Sequence, residues 1–377
     1  MIKVEYGLPK RELNKRYLQL FDTDLSVMDH EWKQIHENIS YLYPNLNYSI
    51  PSNIQDLLIA DFPTLVDIFL SYLKFKNLPR DMKDAIIILF DYKKFQPKIA
   101  GFFMDTNNKF QIHVCHYCGT AYINAYGIMN DYQDKFHFIK NASPFELMKF
   151  IPRNLSDRTI QKIINKRNSF ISIDDFDNLN CWHTSKKSDS IKLLSDNHFD
   201  LDHELDKGSC PLLALSLYNF VPCCSVCNEK LKGTTTIGEK TNKNELIKLS
   251  PTSVDYDFDG NVTFSVIPRK ASTFGFLKNQ NKYKIDITCK DATFEKTIDL
   301  FRLKQRYNHH KVFALRLLDL KERYSTGSIK MISNLLQNKQ QHPNRYTEQQ
   351  IYEDIFGEEY SKVGHRCFDK LRRDILK

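Results

Sequence analysis

The sequence predicts an α+β protein: a small β-bearing centre, held by a metal-binding cysteine set and flanked by helical segments. Three observations carry that expectation. Two C-x-x-C pairs, at Cys115 and Cys118 and at Cys224 and Cys227, can together close one tetrahedral, all-thiolate zinc site. Apolar residues recur at helical spacing across residues 1–98 and again beyond Glu295. Between these stretches lie short aromatic and β-branched runs of strand character. With 377 residues, 41% of them hydrophobic, and only 12 Gly and 13 Pro, the chain can bury a core in two or three packed units and shows no disordered tail.

In chain order, residues 1–98 form a helical N-terminal lobe: Ile54, Leu57 and Leu58 and, after Pro63, Leu65, Ile68, Phe69, Tyr72 and Leu73 make apolar stripes. No chemistry is visible there. From Phe102 the chain becomes β-like, delivers the first cysteine pair and continues through Ala121-Tyr122-Ile123-Asn124. The 105 residues from 119 to 223 then separate the two pairs, far more than a compact zinc ribbon needs, so an insert is looped out at about 140–180. Phe145 to Arg167 reads as two helices joined at Pro152-Arg153-Asn154-Leu155, with Ser156 as N-cap and Ile160, Ile163 and Ile164 on one face. Ser172 with Asp175 starts a further helix by a capping box.

After the second pair, Tyr256, Phe258, Val262, Phe264 and Val266 around Asp259-Gly260 read as a β-hairpin with a two-residue turn. Tyr283, Ile285 and Ile287 suggest one more strand. From Glu295 the chain is helical, with Ile298, Phe301, Val312, Leu315 and Leu318 inward and Arg302, Lys304, Arg306, Lys311 and Arg316 outward. Thr347 to Gln350 forms another capping box, Gly357 is a stop, and a basic helix runs to Lys377. The expected domains are therefore 1–98, 99–250 with its insert, and 251–377.

Lys plus Arg number 54 against 46 Asp plus Glu, a net +8 that suits a polyanionic partner without naming one. The N-terminus lacks the apolar core of a secretory signal, and no apolar run spans a bilayer. Nine cysteines, four of them in C-x-x-C pairs, fit zinc in a reducing cytosol better than a disulfide framework. The expected location is the cytoplasm, away from membranes.

The most informative stretch is Phe199-Asp200-Leu201-Asp202-His203, followed by Tyr218-Asn219-Phe220 and then Cys224-Ser225-Val226-Cys227-Asn228. The ordered set Asp-His, Asn, Cys-Asn within a four-cysteine frame resembles the HNH endonucleases, over about Cys115 to Gly233. The resemblance implies a ββα-metal core in which His203 is the general base and Asp202 and Asn228 ligate a catalytic cation, while Asn219 ties the loop and orients His203. Oxygen ligands from Asp202 and Asn228 favour Mg²⁺ or Mn²⁺. Structural zinc falls to Cys115, Cys118, Cys224 and Cys227. Adjacent strand residues point to opposite faces, so Asp202 and His203 share a site only if the strand ends or bulges there.

Lys207, Lys230 and Lys232 are candidate contacts for a phosphate backbone. The insert is similar to a helix-hairpin-helix module, with Arg153, Arg158, Lys162, Lys166 and Arg167 as candidate backbone contacts, although its turn lacks the usual glycines. Cys223, His113, His116 and the pair His309-His310 read as structural bystanders. The run Asp202 to Pro222 also looks like HNH proteins of bacterial Septu-type antiphage systems, which implies an ATPase or other defence protein as partner. Nucleic acid is the expected substrate, DNA before RNA. A non-catalytic zinc-stabilised nucleic-acid-binding scaffold, a stand-alone homing or restriction enzyme, and an RNA-cleaving toxin are the other readings.

Overall fold

The computed structural model describes residues 1–44, 49–75, 78–126, 132, 134–151, 155–180, 187–191, 196–269, 276–337, 347–357 and 366–377. These residues are predominantly helical, with six short strands: β1 (Asn124–Tyr126), β2 (Asp196–His198), β3 (Asp200–His203), β4 (Phe220–Cys223), β5 (Val262–Pro268) and β6 (Tyr283–Cys289). They pair as β1 with β2, β3 with β4 and β5 with β6, the last two pairs antiparallel. No helix among the described residues is long and apolar enough to cross a membrane.

Two compact units emerge. The first gathers Met1–Gln96, Gln111–Asn124 and Phe199–Lys377, and the second Pro97–Phe110 and Ala125–His198. The N-terminal helices, which the sequence sets apart as a lobe, thus belong to the same unit as the cysteine pairs. The reason is visible in long-range hydrogen bonds. Tyr17 donates its hydroxyl to the Leu215 carbonyl at 2.7 Å, Ser216 donates to the Leu57 carbonyl at 2.8 Å, and Tyr218 donates to Asn14 Oδ1 at 2.8 Å. The apolar stripes of Ile54–Ile59 and Phe62–Tyr72 are buried as their periodicity requires, with Leu57, Leu58, Leu65, Ile68 and Phe69 all in the core.

The second unit contains the two helices expected in the insert, Pro144–Phe150 and Asp157–Lys166. Ser143 with Glu146 forms a capping box, Ser156 caps the next helix by accepting the Thr159 N–H, and Ser172 with Asp175 caps Ile173–Asp177. Ile160 and Ile163 join Phe138, Ile139, Leu147 and Phe176 in a core of their own. The turn residues Pro152, Arg153 and Asn154 lie outside the described residues.

Two element-level expectations are corrected. Asp259-Gly260 is not a hairpin turn: the Asp257 carboxylate accepts the Gly260 N–H at 2.8 Å, and Phe258–Asn261 winds into one helical turn before β5. A side-chain cap has outcompeted the hairpin, and β5 pairs instead with β6, the strand expected from Tyr283, Ile285 and Ile287. In the helix Lys311–Arg323 the buried residues are Ala314, Leu315 and Leu317, while Val312 is exposed, so the inward face is turned from the one expected.

Candidate functional site

A local turn builds the first half of the cysteine cluster. Val114 bridges to Tyr122, the Gly119 N–H donates to the Cys115 carbonyl at 2.9 Å, and Gly119 adopts φ +63°, a left-handed position that suits glycine. A Cβ at Gly119 would also meet the Tyr307 hydroxyl at 3.0 Å. This knuckle lies against β4, since the His116 N–H donates to the Pro222 carbonyl at 3.2 Å. That contact brings together cysteines far apart in sequence.

The second half follows β4 directly. Cys227 and Asn228 donate their N–H groups to the Cys224 carbonyl at 2.9 and 3.0 Å, and the chain continues as the π-helical turn Val226–Lys232, closed by a Gly233 N–H to Asn228 carbonyl bond of 2.7 Å. The Sγ atoms of Cys115, Cys118, Cys224 and Cys227 all lie within 4.8 Å of one another. Four thiolates around one zinc need sulfur separations of about 3.8 Å, so small side-chain rotations close a tetrahedron and the donor set fits a metal ion. Arg306 donates to Cys227 Sγ at 3.1 Å, a cation placed to offset the negative charge of a tetrathiolate. This corrects its expected outward, solvent-facing role. Tyr307, next to it, donates to the Cys118 carbonyl at 3.0 Å.

Beside the cluster runs the Asp-His strand. Its pairing with β4 is regular to the end, Asp202 opposite Val221 and His203 opposite Phe220, without a bulge. Alternation therefore sends Asp202 and His203 to opposite faces. Asp200 and Asp202 share one face and meet the π-helical turn in two rungs: Asn228 Nδ2 lies 3.2 Å from Asp200 Oδ2, and Lys232 Nζ lies 2.8 Å from Asp202 Oδ2. The structure thus pairs Asn228 with Asp200 and not with Asp202, the partner expected from the sequence.

Asp202 is engaged internally. Its carboxylate is buried with Lys232, which also donates to the His203 carbonyl at 2.9 Å. Lys232, expected to meet a phosphate backbone, is itself buried and serves as an internal counter-charge, a second correction. Removing one partner of such a pair leaves a buried, uncompensated charge, so Lys232→Met is expected to cost roughly 3–5 kcal/mol of stability in denaturant titration. A variant as stable as the wild type would exclude that role.

Tyr117, from the middle of the first cysteine pair, completes the cluster. Its hydroxyl lies 2.5 Å from both Asp202 Oδ2 and Glu204 Oε2. One phenolic proton cannot serve two carboxylates at that distance, so one carboxyl must itself carry a proton. Asp202 faces Lys232, which leaves Glu204, and burial pushes the Glu204 pKa up to about 7 against the opposing Lys232 charge. A carboxyl raised from its unfolded 4.5 to about 7 stabilises the fold fully below about 4.5 and loses that contribution as pH rises through 7. Glu204→Gln is accordingly expected to gain thermal stability over the wild type at pH 8 and little at pH 5, as melting curves at the two values would check.

His203 occupies the other face, packed edge-to-face on Tyr92 and Phe220 at centroid distances of 4.7 and 4.9 Å. Its Nε2 lies 3.0 Å from the Ala214 carbonyl, which can only accept, so Nε2 carries the proton and Nδ1 the lone pair. Burial, with Lys207 nearby, lowers its pKa to about 3. The loop that presents Ala214 is tied by Asn219, which accepts the Leu205 N–H at 2.8 Å and donates to the Leu205 and Leu213 carbonyls at 3.0 and 3.1 Å.

Among the other expected contacts, Lys207 and Lys230 are exposed. In the second unit Arg158 and Lys166 are exposed, Lys162 donates to the Asn180 carbonyl, and Arg167 donates to the Ala142 carbonyl at 2.6 Å, a structural use of the last two. Sequence reasoning missed Asp200, Tyr117, Glu204, Tyr92 and the role of Arg306. Asp200 was findable, standing two residues before Asp202 on the same strand face; the others depend on tertiary contacts. Comparison with protein-family profiles, curated proteins and solved structures returned no match.

Proposed function

We propose that this chain is a metal-dependent endonuclease of the HNH type, hydrolysing phosphodiester bonds with DNA as favoured substrate, and that its four-cysteine cluster holds a structural zinc. The observation that carries the reading is the succession of β3, β4 and the π-helical turn. It brings Asp200 and Asn228 side by side and holds the His203 ring by a backbone carbonyl, within a unit stapled by Cys115, Cys118, Cys224 and Cys227. Zinc suits this site because four thiolates leave no open position, which assigns the metal to structure.

Asp200 and Asn228 are the oxygen donors available to a divalent cation. The Asn228 amide would turn its carbonyl oxygen to the ion, an exchange of the two ends of a planar group. Bound Mg²⁺ or Mn²⁺ would neutralise charge developing on the phosphate and the departing 3′-oxygen. His203, its Nε2–H held by Ala214 and its Nδ1 carrying the lone pair, is the group this reading assigns as base, although it stands on the face of β3 opposite Asp200 and Asn228 and burial weakens it as a base. Asn219 keeps that carbonyl in register by tying Leu205 to Leu213.

Two observations favour the non-catalytic scaffold instead: Asp202 is engaged by Lys232 and Tyr117, and His203 is buried on the strand face away from Asp200 and Asn228. The deciding experiment is incubation with supercoiled plasmid, single-stranded DNA and tRNA in Mg²⁺ or Mn²⁺, against an EDTA control. Metal-dependent nicking is expected, and cleavage indifferent to divalent metal, or none, rejects the nuclease. Antiphage defence with an ATPase partner is carried by the resemblance alone; finding an ATPase gene beside this one, and a complex on co-expression of the two, is the result expected, and the absence of such a gene would remove the reading.

A further inference from the structure

Tyr92 stands at the start of the helix Tyr92–Met104, directly after a turn in which the Asp91 carboxylate accepts the Lys93 N–H at 2.9 Å. Its ring meets the His203 imidazole nearly at right angles, and the Lys207 ammonium sits 4.3 Å from the centre of the same ring. Beside it lies a cleft of ≈ 250 Å³, lined in part by Tyr92, Lys93, Lys207, Gly208, Pro211 and Ala214. Ala214 is the residue whose carbonyl faces His203 Nε2, so one wall of the cleft is the backbone that orients the imidazole.

Two ammonium groups, Lys93 and Lys207, line this cleft against one carboxylate, Asp91, and the Asp91 and Asp206 carboxylates are turned to neutral donors of their own turns, Lys93 N–H for the first and Gly208 N–H, Ser209 N–H and the Ser209 hydroxyl for the second. Lys93 and Lys207 are exposed, and Lys240 reaches the same loop by donating to Ser209 Oγ at 3.3 Å. A cleft of this size with ammonium groups at its edge, continuous with the residues that clamp His203, matches one nucleotide of a polyanionic strand.

We propose that this cleft is a nucleotide subsite of the candidate hydrolytic centre, in which Lys93 and Lys207 hold the phosphodiester backbone of a DNA strand while Tyr92 positions the His203 ring. The inference rests on the nuclease reading of His203 and extends it to the N-terminal helical segment, where the sequence shows no chemistry. Tyr92 acts through His203 and is a positioning residue.

The test separates binding from cleavage. A fluorescein-labelled single-stranded DNA oligonucleotide is titrated with the intact protein by anisotropy in EDTA over a range of salt, and its cleavage is followed separately in Mg²⁺ or Mn²⁺. The double variant Lys93→Gln, Lys207→Gln is expected to weaken binding about tenfold and to flatten the slope of log K against log salt by about 1.4, two contacts at roughly 0.7 each. Tyr92→Leu is expected to lower kcat about tenfold with KM and metal content held, and Tyr92→Phe, which keeps the ring, to restore it. If the wild type cleaves but the double variant keeps its salt slope, the subsite is overturned and the nuclease reading stands. Equal rates for Tyr92→Leu and the wild type overturn the positioning role. Should Tyr92→Leu fail to fold, the double variant, altered only at exposed lysines, still decides the subsite. A wild type that neither binds nor cleaves removes both readings together.

Discussion

Metal analysis of the purified protein is expected to return one zinc per chain, and Cys118→Ser or Cys227→Ser to lose metal and folded structure together. The expectation follows from what the cluster joins. The first knuckle carries Tyr117, which bonds β3, and lies against β4; the second opens the turn that carries Asn228 and Lys232; Arg306 and Tyr307 bring in the C-terminal helices. Four thiolates on zinc contribute roughly 10–16 kcal/mol at neutral pH, as much as the whole net stability of a typical domain, about 5–15 kcal/mol. Losing one ligand is therefore expected to unfold the first unit, read as collapse of the thermal transition alongside elemental analysis. A folded, zinc-free wild type would end this account.

The second large effect concerns chemistry. His203→Ala and Asp200→Asn are each expected to reduce cleavage about 10²–10⁴-fold, the usual contribution of a positioned base or of charge stabilisation at a transition state. Their side effects differ. His203 is buried between Tyr92 and Phe220, so its truncation is expected to cost about 2–3 kcal/mol as well. Asp200 is only half-buried, and its amide keeps the shape, so Asp200→Asn should fold as the wild type does. Zinc content should stay at one per chain in both. Cleavage by Asp200→Asn at the wild-type rate would remove Asp200 from the cation site and reopen the case for Asp202.

The cysteine pairing was legible because C-x-x-C is a local pattern and the sequence holds a second such pair to close the site, and the four thiols do converge. The caps at Ser156, Ser172 and Thr347, legible in the sequence, also involve groups three residues apart, and the cap at Ser143 has the same spacing. The pairing of Asn228 was not legible. Choosing between Asp200 and Asp202 requires knowing that β3 stays regular to His203, which depends on its partner strand. Lys232 shows the same limit: a lysine in a basic run looks solvent-facing until the strand opposite supplies a carboxylate. Asp257 shows a different one, since a capping carboxylate and a two-residue hairpin turn compete for the same Asp-Gly segment, and only the register of β5 with β6 decides.

The distance between the two knuckles has a thermodynamic reading of its own. Closing a loop over the 105 residues between Cys118 and Cys224, in place of about ten in a compact ribbon, costs only about 2 kcal/mol more in chain entropy, because the penalty grows with the logarithm of length. That is small beside the metal's contribution. The second unit brings its own buried core, built around Phe138, Ile160 and Phe176, so it adds order without drawing on the centre it interrupts. The part of that span belonging to the second unit, Ala125–His198, can accordingly lengthen, shorten or exchange its content with little effect on whether the thiols meet, and the centre is tolerant of cargo there in a way it is not at Gly119, in β3 and β4, or at Asn219.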